Sequence, residues 1–205
     1  MRQRRPAFAL GLAASLLAGA AAAQPAGEHL YLDICRQLPG WTAQPTTSNG
    51  QSEITAILPP GQTESNWTDS VAVEISYGVA TKSPQQVLAD EFATAQRDCD
   101  DAIAGPVSPT MANGYETALR AIECTKSKRW NRGEVDLYKA LRGKEGMYVV
   151  VRAWSGQPFE KGHNPVTLET SLKWLAFMQT VVLCDTRDTQ HPCPPPGPPC
   201  APAKP

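Results

Sequence analysis

The sequence predicts an α+β domain in which helices cover both faces of a mostly antiparallel β-sheet, in the order β-β-α-β-β-β-α. Short turn segments between successive strand patterns favour antiparallel pairing. Two of the strand segments are apolar on both faces, so each face of the sheet needs a cover. Two segments with the helical spacing of apolar residues can supply it.

The first half of the chain contains two predicted strands. A short helix over residues 28–37 and a polar loop over residues 41–52 precede them. Residues 53–58 form the first strand, which ends at a Pro-Pro-Gly turn. In residues 71–77 apolar side chains alternate with small or polar ones, the pattern of a strand with one buried face.

The first long helix has a clear beginning. Ser83, Pro84 and Gln86 occupy the N-cap, N1 and N3 positions of a capping box. Apolar residues then recur at spacings of four, three and four, and predict a buried stripe of Leu88, Phe92, Ala95 and Cys99.

The second half contains three strands and a helix. The strands are predicted over residues 115–124, 134–141 and 147–154, with a hairpin turn between the last two. Asn164 and Pro165 are the expected N-cap and N1 residues of the last helix. Its buried side is predicted to consist of Leu168, Leu172, Leu175 and Val182.

Two segments differ in composition from the rest. Residues 1–23 begin with three arginines among the first five residues, continue as an Ala/Leu-rich run and predict a secretory signal peptide cleaved after Ala23. An uncleaved anchor is the alternative, but the apolar run is short for a membrane span. Residues 185–205 hold 8 of the 19 prolines and are expected to be a disordered Pro/Cys-rich tail. Residues 24–184 then form a single domain that is periplasmic or secreted, with no stable membrane span.

Six cysteines in an exported chain predict three disulfides. We predict that Cys99 pairs with Cys124 and that Cys35 pairs with Cys184. Cys193 and Cys200 are left to close a small Pro-rich loop. A metal site is the alternative for that last pair, but its spacer lacks supporting polar groups, so no metal and no cofactor are predicted.

The order of elements resembles that of the PsbP-like α/β/α sandwich, a family named for a lumenal subunit of photosystem II that includes bacterial periplasmic members. Residues 60–68, Pro-Gly-Gln-Thr-Glu-Ser-Asn-Trp-Thr, are also similar to a motif of uncharacterised bacterial exported proteins. The resemblance covers about residues 50–183 at the level of element order. It implies a non-enzymatic binding or assembly role and assigns no site residues.

One basic run contains an aromatic residue and is the candidate binding patch. Its members are Lys126, Lys128, Arg129, Trp130 and Arg132. Such a patch fits an anionic ligand or an envelope protein with exposed carboxylates, and a solvated turn between strands is the alternative. With 19 basic and 20 acidic side chains, the chain is not expected to bind nucleic acid.

Three aspartates surround Cys99 at the carboxyl end of the first long helix, where negative charge opposes the helix dipole. They are Asp98, Asp100 and Asp101. A calcium site is one interpretation, but the ligand spacing of an EF-hand loop is absent. We expect Lys126, Lys128 and Arg129 to compensate the charge, because the predicted disulfide brings the two segments together.

The sequence contains no G-x-S-x-G and no H-E-x-x-H motif, and no catalytic residue is predicted. The leading hypothesis is an exported, non-enzymatic binding or assembly module of the cell envelope. The alternative is a small exported hydrolase that uses His163 or a pair of carboxylates.

Overall fold

The computed structural model describes residues 27–78, 80–195 and 197, which form a nine-stranded sheet, a two-stranded sheet and three helices. The first half of the chain contributes β1 Glu28–Tyr31, α1 Ile34–Gln37, β2 Thr42–Ala43, β3 Thr47–Ser48, β4 Ser52–Leu58, β5 Asp69–Tyr77 and α2 Pro84–Asp98. The second half contributes β6 Ala102–Ala104, β7 Ser108–Ala112, β8 Tyr115–Cys124, β9 Gly133–Arg142, β10 Gly146–Gly156, α3 Leu168–Thr180 and β11 Val182–Asp185.

The large sheet has the order β2-β4-β5-β10-β9-β8-β6, with β3 paired to β4 and β7 paired to β8. All of these described pairs are antiparallel, which confirms the mostly antiparallel sheet. The element order is longer than predicted because six strands are too short to show an alternating pattern. Among them, β1 occupies the first part of the helix predicted over residues 28–37, and β1 pairs with β11.

Adjacent residues of the central strand β10 belong to different core clusters. Val149 packs in a cluster with Leu88 of α2. Val150 packs in a larger cluster with Phe177 and Met178 of α3. Because successive side chains of a strand point to opposite sides, the apolar run 147–151 of β10 contributes side chains to both clusters.

Ser83 begins α2 as the capping box predicts. Its hydroxyl accepts a hydrogen bond from the backbone N–H of Gln86 at 3.2 Å, and the Gln86 side chain accepts one from the N–H of Ser83 at 2.8 Å. Leu88 and Cys99 of the predicted stripe are buried, and Phe92 and Ala95 are half-buried.

α3 begins later than predicted. Its N-cap is Thr167, whose hydroxyl accepts a hydrogen bond from the N–H of Thr170 at 3.2 Å. Asn164 instead accepts a hydrogen bond from the N–H of Val166 and donates to the Glu123 carboxylate. The side chain that would cap a helix at residue 165 is thus used in a turn that precedes the helix.

The predicted buried side of α3 is wrong. Leu168, Leu172 and Leu175 are 76%, 57% and 38% exposed. The side chains that α3 buries are Trp174, Phe177 and Met178. Val182 lies beyond the helix, half-buried in β11. Apolar residues occupy two sides of α3, and the side with the larger side chains packs against the sheet.

Two disulfides are described. Cys99 pairs with Cys124, as predicted, with 5.5 Å between the Cα atoms. Cys184 pairs with Cys193, so the pairings predicted for Cys35 with Cys184 and for Cys193 with Cys200 are wrong. After β11 the chain turns back on itself through hydrogen bonds among residues 185–191, which places Cys193 over Cys184. Cys35 is also disulfide-bonded, and Cys200 lies outside the described residues.

The beginning of the segment 185–205 packs against the domain. The His191 ring lies 4.2 Å from the Tyr115 ring, measured between centroids. The side-chain amide of Asn113 donates to the Pro192 carbonyl at 3.1 Å. The first part of the predicted tail is therefore bonded to the turn between β7 and β8.

The predicted signal peptide, residues 1–23, lies outside the described residues, as do residues 198–205. In the part of the chain that is described, none of the helices has the length and apolar character needed to cross a membrane.

We expect the Cys99–Cys124 disulfide to stabilise the fold more than the Cys184–Cys193 disulfide does. The two bonds close loops of sequence separation 25 and 9, so the chain-entropy relation gives about 3.5 and about 2.6 kcal/mol. Urea unfolding of Cys99→Ala/Cys124→Ala and of Cys184→Ala/Cys193→Ala measures how much free energy of unfolding is lost with each disulfide. A larger loss for the second pair would contradict this account.

Candidate functional site

Two lysines of the predicted basic patch neutralise the carboxyl end of α2. The Lys126 ammonium lies 3.7 Å from the Asp100 carboxylate. Lys128 donates from Nζ to the Arg97 carbonyl at 2.9 Å and from its backbone N–H to the Asp98 carbonyl at 2.8 Å. Lys126 and Lys128 thus supply part of the charge compensation expected at the end of this helix, whereas Arg129, which was also expected to contribute, stacks on Trp130.

The other three residues of the patch do not form a continuous cationic surface. Arg132 points inward and donates to the carbonyls of Trp67 and Ser155 at 2.7 and 3.0 Å. The Arg129 guanidinium lies 4.4 Å from the centroid of the Trp130 ring, and Trp130 is 60% exposed. The patch is thereby reduced to one stacked Arg–Trp pair at the surface.

His163 lies in the exposed turn before α3. Its ring nitrogen is 3.8 Å from the Glu160 carboxylate, which is also exposed. The structure thus places this candidate base on an open surface beside a single carboxylate, outside every described cavity.

An exposed apolar surface is formed by α3. Leu168, Leu172 and Leu175 lie at positions i, i+4 and i+7, so their side chains follow one side of the helix. We call these three residues the leucine stripe. It lies about 140° around the helix axis from the buried side, as the ~100° step per residue requires.

A groove of about 380 Å³ continues the leucine stripe toward the sheet edge. We call it the α3 groove, and its apolar lining includes Met111, Leu119, Leu175 and Val182. Ser108, Thr110 and Gln179 supply uncharged polar groups. Met111, on the edge strand β7, is exposed. The leucine stripe and the α3 groove thus form one apolar surface, which is bordered by the uncharged polar groups of the groove and by the exposed Glu169–Lys173 ion pair beside the stripe.

Among the described residues that line the α3 groove, Lys139 is the one with a charge, and its ammonium is already hydrogen-bonded. Nζ donates to the carbonyls of Met178 and Val181 at 2.8 and 2.7 Å. Burial lowers the pKa of Lys139 to about 8, while the carbonyl end of α3 favours the charged form. The ammonium therefore anchors the end of α3 and leaves no charge facing the groove.

Arg152 holds the middle of α3 against the sheet. Its guanidinium lies 4.5 Å from the centroid of the Trp41 ring and 5.4 Å from that of Trp174. It donates to both carboxylate oxygens of Asp69 and to the Ser70 carbonyl. This arrangement satisfies the buried charge and fixes Trp174 on the inner side of α3.

A group of carboxylates lies beside α2, in a place that sequence analysis did not identify. Glu74 of β5 and Glu91 of α2 line a cavity of about 380 Å³. Burial, with the charges of Glu74 and Asp90, raises the pKa of Glu91. Asp136 of β9, whose carboxylate accepts a hydrogen bond from Tyr138 at 3.3 Å, has its pKa raised well above the ordinary value by burial and then by Glu134. We call Glu74, Glu91 and Asp136 the acidic cluster.

Comparison with known proteins gives no assignment for these surfaces. The chain matches no protein-family model and no curated protein. The leucine stripe, the α3 groove and the acidic cluster are therefore interpreted from their own chemistry.

We expect Asp136→Asn to stabilise the protein at neutral pH. Because burial raises the pKa of Asp136 in the folded state, the free energy of unfolding falls as the pH rises from the ordinary value of 3.8 toward the folded-state pKa. The side-chain amide of asparagine does not ionise, so the variant does not lose this part of the free energy of unfolding as the pH rises. Thermal unfolding of the variant and of the wild type, followed from pH 3 to pH 7, measures the difference.

The control is Asp101→Asn, because Asp101 is exposed. The stabilisation by Asp136→Asn should grow with pH, whereas the control should show no comparable growth. A variant at position 136 that is less stable than the wild type at pH 7 would show that the Asp136 carboxylate is needed in its ionised form.

Proposed function

We propose that this chain is an exported, non-enzymatic binding module of the cell envelope and that its partner is a protein with an apolar helix. The leucine stripe carries the proposal. Monomeric soluble proteins rarely leave a contiguous apolar surface uncovered, and such surfaces usually mark interaction sites. Three regularly spaced leucines, exposed on a helix whose opposite side is fully packed, are such a surface.

The geometry of the surface favours a helix as the bound element. Leucines at i, i+4 and i+7 match the spacing at which an amphipathic helix presents its own apolar residues. The neighbouring edge strand β7 contains Pro109, which has no backbone N–H and makes strand addition unfavourable. The uncharged rim of the α3 groove favours an apolar segment over an anionic one.

The cellular location belongs to the same proposal. Two described disulfides fit an oxidising compartment, and the arginine- and alanine-rich residues 1–23 fit an export signal. We further propose that α2 and α3 cover opposite faces of the sheet, as in the PsbP-like sandwich that the element order resembles. A binding or assembly role is what that resemblance implies.

Site-specific photo-cross-linking tests the proposed docking surface without requiring a known partner. A benzophenone amino acid is placed at position 172, 175 or 54 in cells that produce the protein. Ile54 is the matched control, because it is an exposed apolar residue of β4 away from α3. We expect a discrete protein adduct from positions 172 and 175 and none from position 54.

The same experiment distinguishes the other occupants. An adduct of twice the mass of the chain would mean that a second copy covers the leucine stripe, and an adduct with lipid alone would indicate a membrane surface. Either outcome, or equal cross-linking from all three positions, contradicts the proposal. Leu172→Gln should abolish the adduct at 175 while changing the free energy of unfolding by less than about 0.5 kcal/mol, since Leu172 is exposed.

The acidic cluster supports a second candidate, the small exported hydrolase that acts through a pair of carboxylates. Glu91, whose pKa is raised, is suited to a general acid, and Glu74 lines the same cavity as the second carboxylate of a glycoside-cleaving pair. The test is the release of chromophore from aryl glycosides by the wild type, by Glu91→Gln and by the exposed control Glu64→Gln. Hydrolysis lost in Glu91→Gln alone supports this candidate, and no hydrolysis by the wild type rejects it.

A further inference from the structure

Three ligand atoms meet where β1 pairs with β11. Nε2 of His29 lies 3.5 Å from Sγ of Cys184 and 3.6 Å from Sγ of Cys193. All three atoms lie within 4.8 Å of one another, and the two sulfurs form a disulfide. His29 and Cys184 are directly opposite each other in the strand pair, so the backbone alone holds two of the three ligands together.

The hydrogen bond of the other ring nitrogen sets the orientation of His29. Nδ1 lies 3.0 Å from the carbonyl oxygen of Gly27, which is only an acceptor. In the neutral ring the proton therefore resides on Nδ1, and the lone pair of Nε2 points at the sulfurs. A histidine that donates from one nitrogen to a backbone carbonyl and offers the other is the usual arrangement of a metal-binding histidine.

The distances are those that a tetrahedral zinc ion requires. Zn–S bonds of about 2.3 Å and Zn–N bonds of about 2.0–2.1 Å place nitrogen and sulfur ligands about 3.6 Å apart. The two N···S distances around His29 already have this value. Two thiolates on the same ion would lie about 3.8 Å apart, so opening the disulfide is the one rearrangement needed.

We propose that reduction of the Cys184–Cys193 disulfide creates a zinc site formed by Nε2 of His29 and the two cysteine thiolates, with water as the fourth ligand. A dithiol reductant supplies two electrons and two protons and is itself oxidised to a disulfide, so that two thiols replace the S–S bond. Each thiol then loses its proton on binding the ion. In the oxidised protein the sulfurs are bonded to each other and the site is closed. The proposal is independent of partner docking at the leucine stripe.

Titration with Co²⁺, a spectroscopic substitute for Zn²⁺, tests the site in the purified full-length protein after phosphine reduction. We expect one equivalent to bind with thiolate-to-cobalt charge-transfer absorption and tetrahedral visible bands, and Zn²⁺ to displace it. His29→Ala should weaken Co²⁺ binding by at least about tenfold. The control His163→Ala, at an exposed histidine, should leave binding unchanged.

Failure of the reduced wild type to bind Co²⁺, or equal affinity in His29→Ala, overturns the proposal. If the thiols of an unfolded chain bound Co²⁺, the wild type and His29→Ala would have equal affinity, because that binding would not depend on His29. A second measurement uses the oxidised, folded protein: nitrogen NMR of the neutral His29 ring should place the proton on Nδ1. A proton on Nε2 would direct a donor at the sulfurs and would also overturn the proposal.

Discussion

The buried ammonium of Lys139 determines where α3 ends and which side of it faces the sheet. It bonds the carbonyls of Met178 and Val181, so the last turn of the helix has one position over β9. Arg152 of β10 constrains the helix further toward its beginning by holding Trp174. Removing either partner would leave a buried charge without its compensation, which is costly. Two cations from neighbouring strands thus fix the rotation of α3 about its axis.

That rotation explains why an apolar surface remains uncovered. α3 carries apolar side chains on two sides, and the sheet can cover one of them. With Trp174, Phe177 and Met178 inside, the leucine stripe must face outward. Burial of each leucine by a partner would contribute up to about 1.5–3 kcal/mol before the costs of association. The isolated domain therefore lacks this stabilisation, and a bound helix that covers the leucine stripe would provide it.

The features that follow from local pattern were predictable. The long strands β5, β8, β9 and β10 show alternation or continuous apolar runs, and α2 has a complete capping box. The buried side of α3 was not predictable, because its leucine spacing is as regular as that of the residues it buries. The choice depends on Lys139 and Arg152, which lie on the neighbouring strands β9 and β10 and not on the helix itself.

The same reasoning applies to the cysteines. The aspartates after β11 favour turns, but the Cys184–Cys193 bond depends on how far those turns bring the chain back, which the local pattern does not specify. Hydroxyl-radical footprinting of the folded protein tests most directly whether α3 faces the sheet with Phe177 and Met178 and leaves the leucine stripe exposed. We expect strong labelling of Met111 and the leucine stripe, and protection of Phe177 and Met178 until the protein unfolds. Protection of the leucine stripe in the isolated monomer, with labelling of Phe177 and Met178, would show that α3 faces the sheet with its other side and would contradict the account.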